Sequence, residues 1–203
     1  MKLYYMPGAC PLASHIVLEW IGKPYETERL THAQIKEPAY LKLNPLGAVP
    51  TLVDGDLVLT QSAAILEYLS DLNPELDLIG DTPRERAETR RWLGLCNADI
   101  HRSFGMIFGA AKYSDDPAIQ QLLSDNTKAR VPAMFAQADR QLEGKQWLTG
   151  KRSIADPYLY TVLRWAHAKG VDLGGQKNLQ RFFEHMEADA GVQAALKAQG
   201  LSD

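Results

Sequence analysis

Lys2-Leu-Tyr-Tyr-Met-Pro-Gly-Ala-Cys10-Pro-Leu-Ala-Ser-His-Ile-Val-Leu18 runs from a short apolar segment through a Pro-Gly turn to a cysteine placed directly before a helical pattern. Lys2 to Tyr5 predicts a first strand. Pro11 to about Ile21 predicts a helix with Ile16, Val17 and Trp20 on its apolar face, closed by Gly22-Lys-Pro24. Cys10 falls at the N-cap and Pro11 at the first helical position, which proline favours. The unpaired amides and positive end of a helix dipole favour negative charge, so this placement predicts a more acidic thiol. The alternative is an inert cysteine in the core, since free cysteines are among the most buried residues.

Working outward, Tyr25 to Leu30 predicts an exposed second strand, and the β-α-β order makes the pair parallel. Thr31 to Glu37 is loop or short helix. Thr51 to Val53 and Leu57 to Leu59 flank Asp54-Gly55-Asp56 and predict a hairpin. Pro50 cannot donate to a ladder, which leaves the backbone at Val49 free to pair elsewhere. On frequency alone the Val49-Pro50 bond is trans. Gln61 or Ser62 starts a further helix with Ala64, Ile65, Tyr68 and Leu69 at helical spacing. Its N-terminal amides and the Ser62 hydroxyl could hold a small carboxylate, or Ser62 could be a plain cap.

Asn73 to Pro83 is rich in turn formers, and the composition changes across it. It divides the chain into residues 1–77, a linker at 78–83 and a helical domain at 84–203. One long helix is predicted from Pro83 to about Lys112, on which Gly94, Ala98, His101, Gly105 and Phe108 share a face. Small residues there leave room for a second helix or for a ligand, and His101 favours the ligand. A helix begins at Asp116-Pro117 and another covers Val131 to Leu142. Ser153 and Asp156 have capping-box spacing, with the hydroxyl accepting from the amide three residues on and Asp156 reaching back to the Ser153 amide. The helix they start is so apolar that Asp156 reads as structural. Leu179 to Met186 and Val192 to Leu196 predict two closing helices.

With 203 residues and 45% hydrophobic content, the chain can bury a sizeable core. Its net charge of -3 and lack of basic runs argue against nucleic acid as a partner. No apolar run nears the roughly 18 residues of a membrane span, so the expectation is a cytoplasmic protein without a membrane partner. Cys10 and Cys96 are far apart and give neither a disulfide framework nor a zinc site.

Four segments together resemble the cytosolic glutathione transferases, and most closely the bacterial beta class. They are Tyr-Tyr-Met-Pro-Gly-Ala-Cys10-Pro-Leu-Ala-Ser-His, Asn44-Pro-Leu-Gly-Ala-Val49-Pro50-Thr-Leu, Thr60-Gln-Ser-Ala-Ala-Ile-Leu-Glu-Tyr-Leu69 and Ser153-Ile-Ala-Asp156-Pro-Tyr-Leu. Cys10 after Pro-Gly-Ala separates that class from relatives that use tyrosine or serine, and His101 in Ala-Asp-Ile-His-Arg-Ser-Phe also matches it.

The resemblance implies an α/β thioredoxin-like N-terminal domain, an all-α C-terminal domain, a homodimer, and glutathione as co-substrate in the cleft between domains, with no metal. The activity implied is conjugation of the glutathione thiol to small hydrophobic electrophiles, with thiol-disulfide exchange through Cys10 as a further possibility. A non-catalytic binder of glutathione conjugates or apolar ligands is the alternative. Cys10 and His101 would be catalytic, with His101 and the helix start supplying positive potential. Ala9, Cys10, Lys36, Val49, Pro50, Gln61, Ser62 and Arg102 would bind glutathione, Val49 by strand-like pairing beside a cis Pro50. Phe104, Phe108 and Trp165 are candidates for the walls of the electrophile pocket, Trp165 because it matches a tryptophan of the class and the two phenylalanines on helical spacing alone. Departures are Gln61 where many members carry Glu, a short loop at 31–38 that leaves Lys36 as the nearest cation for the glycyl carboxylate, and Gly94 and Ala98 where polar contacts are frequent.

Overall fold

A computed structural model describes residues 1–202. Asp203, the end of the predicted second domain, lies outside the described residues. Strand β1 (Lys2–Tyr5) alternates, with Leu3 and Tyr5 buried and Lys2 and Tyr4 only partly so. Strand β2 (Glu26–Arg29) pairs with it in parallel, Leu3 opposite Thr27. Strands β3 (Thr51–Asp54) and β4 (Leu57–Thr60) continue the sheet antiparallel, with Leu3 opposite Leu52 and Leu52 opposite Leu59. The order is β2-β1-β3-β4.

Helix α1 (Pro11–Ile21) stops at Gly22, whose φ of 68° lets its amide reach the Leu18 carbonyl at 3.1 Å. Helix α1 and helix α3 (Ser62–Asp71) bury Leu12, Ile16, Val17, Ile65, Leu66 and Leu69 in the core that holds Leu3 and Leu52. The single turn α2 (Pro38–Leu41) was not predicted, because four residues carry no helical period. Its Tyr40 joins Leu30 and Ile35 in a second, small cluster.

The connecting segment is not a loose spacer. Leu78 and Ile79 are buried in the main core, and the Ile154 amide donates to the Leu78 carbonyl at 2.8 Å. Helix α4 (Pro83–Gly94) opens with a Thr82/Glu85 capping box, a signal present in Thr-Pro-Arg-Glu that the surrounding charge obscured. The long helix predicted to Lys112 is interrupted by a π-helical stretch over Leu95–Ile100, after which α5 (His101–Phe108) and a 3-10 turn at Ala110–Lys112 follow. A Cβ on Gly94 or Gly105 would meet no atom within 4 Å, so among the described residues no helix packs closely against those two positions.

Helix α6 is one 25-residue element, Pro117–Gln141, where two were predicted. Pro132 lies inside it. A proline removes one backbone hydrogen bond there, and burial of Val131, Phe135 and Ala138 holds the helix across the gap. Helix α7 (Ala155–Ala168) is buried along nearly its whole length, and α8 (Lys177–Glu187) and α9 (Ala190–Gln199) close the chain. Helix α1 packs on both α7 and α9, so the helical half covers the start of α1. Among the described residues, no helix is long and apolar enough to cross a membrane.

Candidate active site

Cys10 is the N-cap of α1 with Pro11 as its first helical residue, but its side chain does not cap the helix. The thiol instead donates to the Val49 carbonyl at 3.5 Å. Ala9 precedes it in a tight turn, its amide bonded to the Met6 carbonyl and its own carbonyl to the Leu12 amide. Burial pushes the Cys10 thiol up to about 11, with only partial relief from the Ser62 and Tyr158 hydroxyls and the backbone. The predicted acidification is therefore overturned: desolvation of the thiolate outweighs the helix start. His101 is corrected in the same way. Burial lowers its pKa, so at neutral pH it is an uncharged imidazole and supplies no positive potential.

The Val49-Pro50 bond is cis, against the frequency for X-Pro bonds, and the Val49 carbonyl is already engaged by the thiol. Gln61 has φ 72° and ψ 117°, a conformation that non-glycine residues rarely hold, while Ser62 is the first helical residue and is buried. Ser62 is thus not a plain N-cap. The turn between α2 and β3 is tied down by Tyr40 and Asn44, which donate to the Ala48 carbonyl at 2.7 and 2.6 Å. Lys36 joins them by donating to the Gly47 carbonyl at 2.7 Å, an engagement the sequence did not suggest.

From the helical half, Trp165 donates from Nε1 to the Gly8 carbonyl at 2.7 Å. Its ring meets His101 edge-on at 4.8 Å, Phe108 at 5.4 Å and Phe104 at 5.8 Å. Phe104 is fully buried and stacks on Phe108, so it backs the cluster without facing a pocket, whereas Phe108 is 50% exposed. Arg102 points to the exposed side of α5. The fold thus gathers Cys10, Val49, Ser62, His101 and Trp165 around one junction, and no hydrogen bond joins Lys36 or Arg102 to that group.

Behind the junction, Ser153 and Asp156 begin α7. Asp156 accepts from the Ser153 amide at 2.8 Å, the Ser153 hydroxyl at 2.7 Å and the Leu148 amide at 2.9 Å. The Ser153 hydroxyl accepts from Ala155, two residues on rather than three, because the helix proper starts one residue late. Burial raises Asp156 to about 6 against those three donors.

Three residues that sequence reasoning missed complete the arrangement. Tyr158 lies against Cys10 and Ser62, and its hydroxyl is 2.8 Å from both His101 Nδ1 and Asn97 Oδ1. Gln199 accepts from the Gly8 amide at 3.0 Å. A tyrosine inside so apolar a helix had to find a buried partner for its hydroxyl, which was the available signal for Tyr158. Asn97 and Gln199 gave none, since only tertiary contact assigns them.

Comparison with known proteins places this geometry. The family model described as "Glutathione S-transferase, N-terminal domain" matches residues 1–71, and the corresponding C-terminal-domain model matches residues 101–190. The chain is 47% identical over 204 residues to glutathione S-transferase GST-4.5 of Xanthomonas campestris, an alignment that spans all of both chains. The chain belongs to the glutathione S-transferase family. A solved glutathione S-transferase from Xylella fastidiosa superposes with a TM-score of 0.95 at 48% identity, covering 99% of each chain. The bacterial beta class transferase of Sphingomonas chungbukensis gives 0.88 at 29% identity over the full length of both. A sphingomonad transferase complexed with glutathione gives 0.87 at 32% identity, again over all of both chains. The transferase fold accounts for the two halves, an α/β thioredoxin-like domain followed by an all-α one.

Proposed function

We propose that the chain is a glutathione transferase that holds the glutathione thiol beside Cys10 and presents it to a small hydrophobic electrophile. The observation that carries this is the meeting of Cys10, the Val49 carbonyl and the Ser62 hydroxyl from the sheet half with Tyr158, His101 and Trp165 from the helical half. Named relatives and the glutathione complex of a sphingomonad neighbour support the ligand.

In this reading the backbone at Val49, beside Pro50, pairs with the cysteinyl part of the tripeptide. The Gln61 and Ser62 end of α3 receives the γ-glutamyl carboxylate. Ala9, Lys36 and Arg102 flank the remainder, and Phe108 with the edge of Trp165 meets the acceptor. Conjugation forms a sulfur-carbon bond as the electrophile's leaving group departs with its electron pair. Cys10, un-ionised near neutral pH, acts best as a thiol donor to the bound thiolate rather than as the first nucleophile. The enzyme reading extends to a cytoplasmic homodimer of two-domain chains divided at residues 78–83; Leu46, 69% exposed, is an apolar side chain that such an assembly could cover.

Turnover of a chloronitroaromatic acceptor with glutathione, measured beside Cys10→Ala, tests the reading. Conjugation by wild type and a reduced rate in the variant are expected. Binding of glutathione without turnover of any electrophile or disulfide would sink it in favour of a non-catalytic binder, and loss of disulfide reduction alone in the variant would make Cys10 the exchange nucleophile.

A further inference from the structure

The end of α7 leaves one cation without a partner. Its last carbonyls already accept backbone amides, Trp165 from Lys169 at 2.9 Å, Ala166 from Val171 at 2.9 Å and His167 from Gly170 at 3.1 Å. The Lys169 ammonium does not bond to them and lies instead over the Phe108 ring, 5.4 Å from its centroid. Lys169 is exposed, and among the described residues its ammonium makes neither an ion pair nor a hydrogen bond. Asp172, the nearest carboxylate in sequence, is turned to the Gly174 amide at 2.8 Å.

Phe108 is the half-exposed ring that meets the acceptor in the transferase reading, and Trp165 packs against it edge-on at 5.4 Å. Trp165 and Lys169 are four residues apart on α7, so they share a face, the lysine about 6 Å further along the axis. Trp165 in turn is bonded to Gly8, two residues before Cys10. From the thiol outward, the chain therefore offers Cys10, then the apolar rings of Trp165 and Phe108, then an unpaired positive charge. On the α5 side the Lys112 side chain lies along Gly109, where a Cβ would come 3.5 Å from its Cδ. A second cation thus stands beside Phe108, and among the described residues it too has no ion pair.

We propose that Lys169 is a specificity-determining residue of the acceptor site, selecting electrophiles that carry a carboxylate on an apolar or aromatic frame. The inference rests on the transferase reading above and names its substrate class. The frame covers Phe108 and the edge of Trp165, removing apolar surface from water, and the carboxylate meets Lys169 at the outer end. The glutathione thiolate forms the sulfur-carbon bond and the leaving group departs with its electron pair, while Lys169 exchanges no proton. Its contribution is one contact between opposite charges at an exposed position, an effect of a few-fold and not of orders of magnitude.

A chloronitrobenzoate and the matching chloronitrobenzamide, each with chlorine para to the acid or amide carbon, share the reacting carbon and the frame and differ in charge. The readout is the ratio of their kcat/KM values, each divided by its uncatalysed rate with glutathione. The ratio should favour the benzoate in wild type, fall about two- to fivefold in Lys169→Gln, fall further in Lys169→Glu and recover in Lys169→Arg. Added salt should shrink the wild-type preference. A lysine that only supports Phe108 would move both acceptors together, so a ratio unchanged in Lys169→Gln would overturn the proposal. A raised glutathione KM with an unchanged ratio would do so too, by placing the cation on the co-substrate. Equilibrium binding of nitrobenzoate against nitrobenzamide needs no turnover. A benzoate preference lost in Lys169→Gln, in a wild type that conjugates nothing, would refute the transferase reading and leave the anion selectivity standing; equal affinities in wild type would sink the selectivity itself.

Discussion

Trp165 and Gly8 are joined by a 2.7 Å hydrogen bond across 157 residues of sequence, from the indole of α7 to the carbonyl two residues before Cys10. The same glycine's amide is held by Gln199 from α9. The turn that presents Cys10 is therefore clamped on both polar faces of one residue by the helical half, and the cysteine's position depends on how that half docks. Trp165→Phe keeps a ring and removes the donor. It should lower stability by about 1–2 kcal/mol and raise the glutathione KM more than it lowers kcat, read from urea midpoints and steady-state kinetics.

Gln199 also fixes the state of a buried histidine. Because its Oε1 accepts from Gly8, its amide nitrogen must be the donor to His15 Nδ1 at 3.0 Å, which leaves His15 neutral with its proton on Nε2. Burial depresses the His15 pKa below its ordinary 6.5. A depressed folded-state value means the contribution is complete above pH 6.5 and is lost as pH falls through the lower value. Gln199→Glu gives protonated His15 an acceptor and raises its pKa. The drop in urea midpoint between pH 7 and pH 5 should be smaller in Gln199→Glu than in wild type; an equal drop would show that His15 does not couple to Gln199. Comparing the two proteins removes the opposite contribution of Asp156, which both share.

The fold was legible where local chemistry and tertiary contact agree. Pro11 after Cys10, the short apolar run at Lys2 to Tyr5 and the Asp54-Gly55-Asp56 turn each specify an element without help, and the structure follows them. The continuity of α6 was not legible, because its polar first half and the apolar segment from Val131 read as separate helices, and only the structure shows Val131 and Phe135 buried along one element. Of the candidate site, the structure brings Cys10, Val49, Ser62, His101 and Trp165 to one junction. Their protonation states were not legible, because a helix start is visible in sequence and desolvation is not. Asn97, Tyr158 and Gln199 act only through partners tens of residues away, so no spacing rule could find them.

Asp156 collects three donors in a site closed to water, the amides of Leu148 and Ser153 and the Ser153 hydroxyl. Asp156→Ala strands both amides at once. Each buried unsatisfied donor costs roughly 1–3 kcal/mol, so a loss of about 3–5 kcal/mol is expected, seen as a large fall in urea midpoint and in soluble yield. Activity per folded molecule should change far less, since Asp156 touches none of Cys10, His101 or Trp165. A variant as stable as wild type would refute its place in starting α7.

Cys10 gives the most direct test of how desolvation and the helix dipole compete. With the thiol near 11, the thiolate fraction at pH 7 is about 10⁻⁴, so iodoacetamide should alkylate Cys10 far more slowly than free cysteine, with a rate rising about tenfold per pH unit toward 11. Cys10→Ala supplies the blank, because Cys96 is fully buried and its thiol is held higher still. Stability follows the same sign. A thiol raised in the folded state keeps its proton where the unfolded chain, at an ordinary 9.0, has released it, so the contribution is whole below pH 9 and is lost as pH climbs to about 11. Cys10→Ala should flatten that alkaline limb. An alkylation rate that instead levels off near neutral pH would mean that the N-terminus of α1 wins over burial, and Cys10 would then be a resting thiolate able to attack oxidised glutathione, forming a mixed disulfide and releasing one glutathione thiolate.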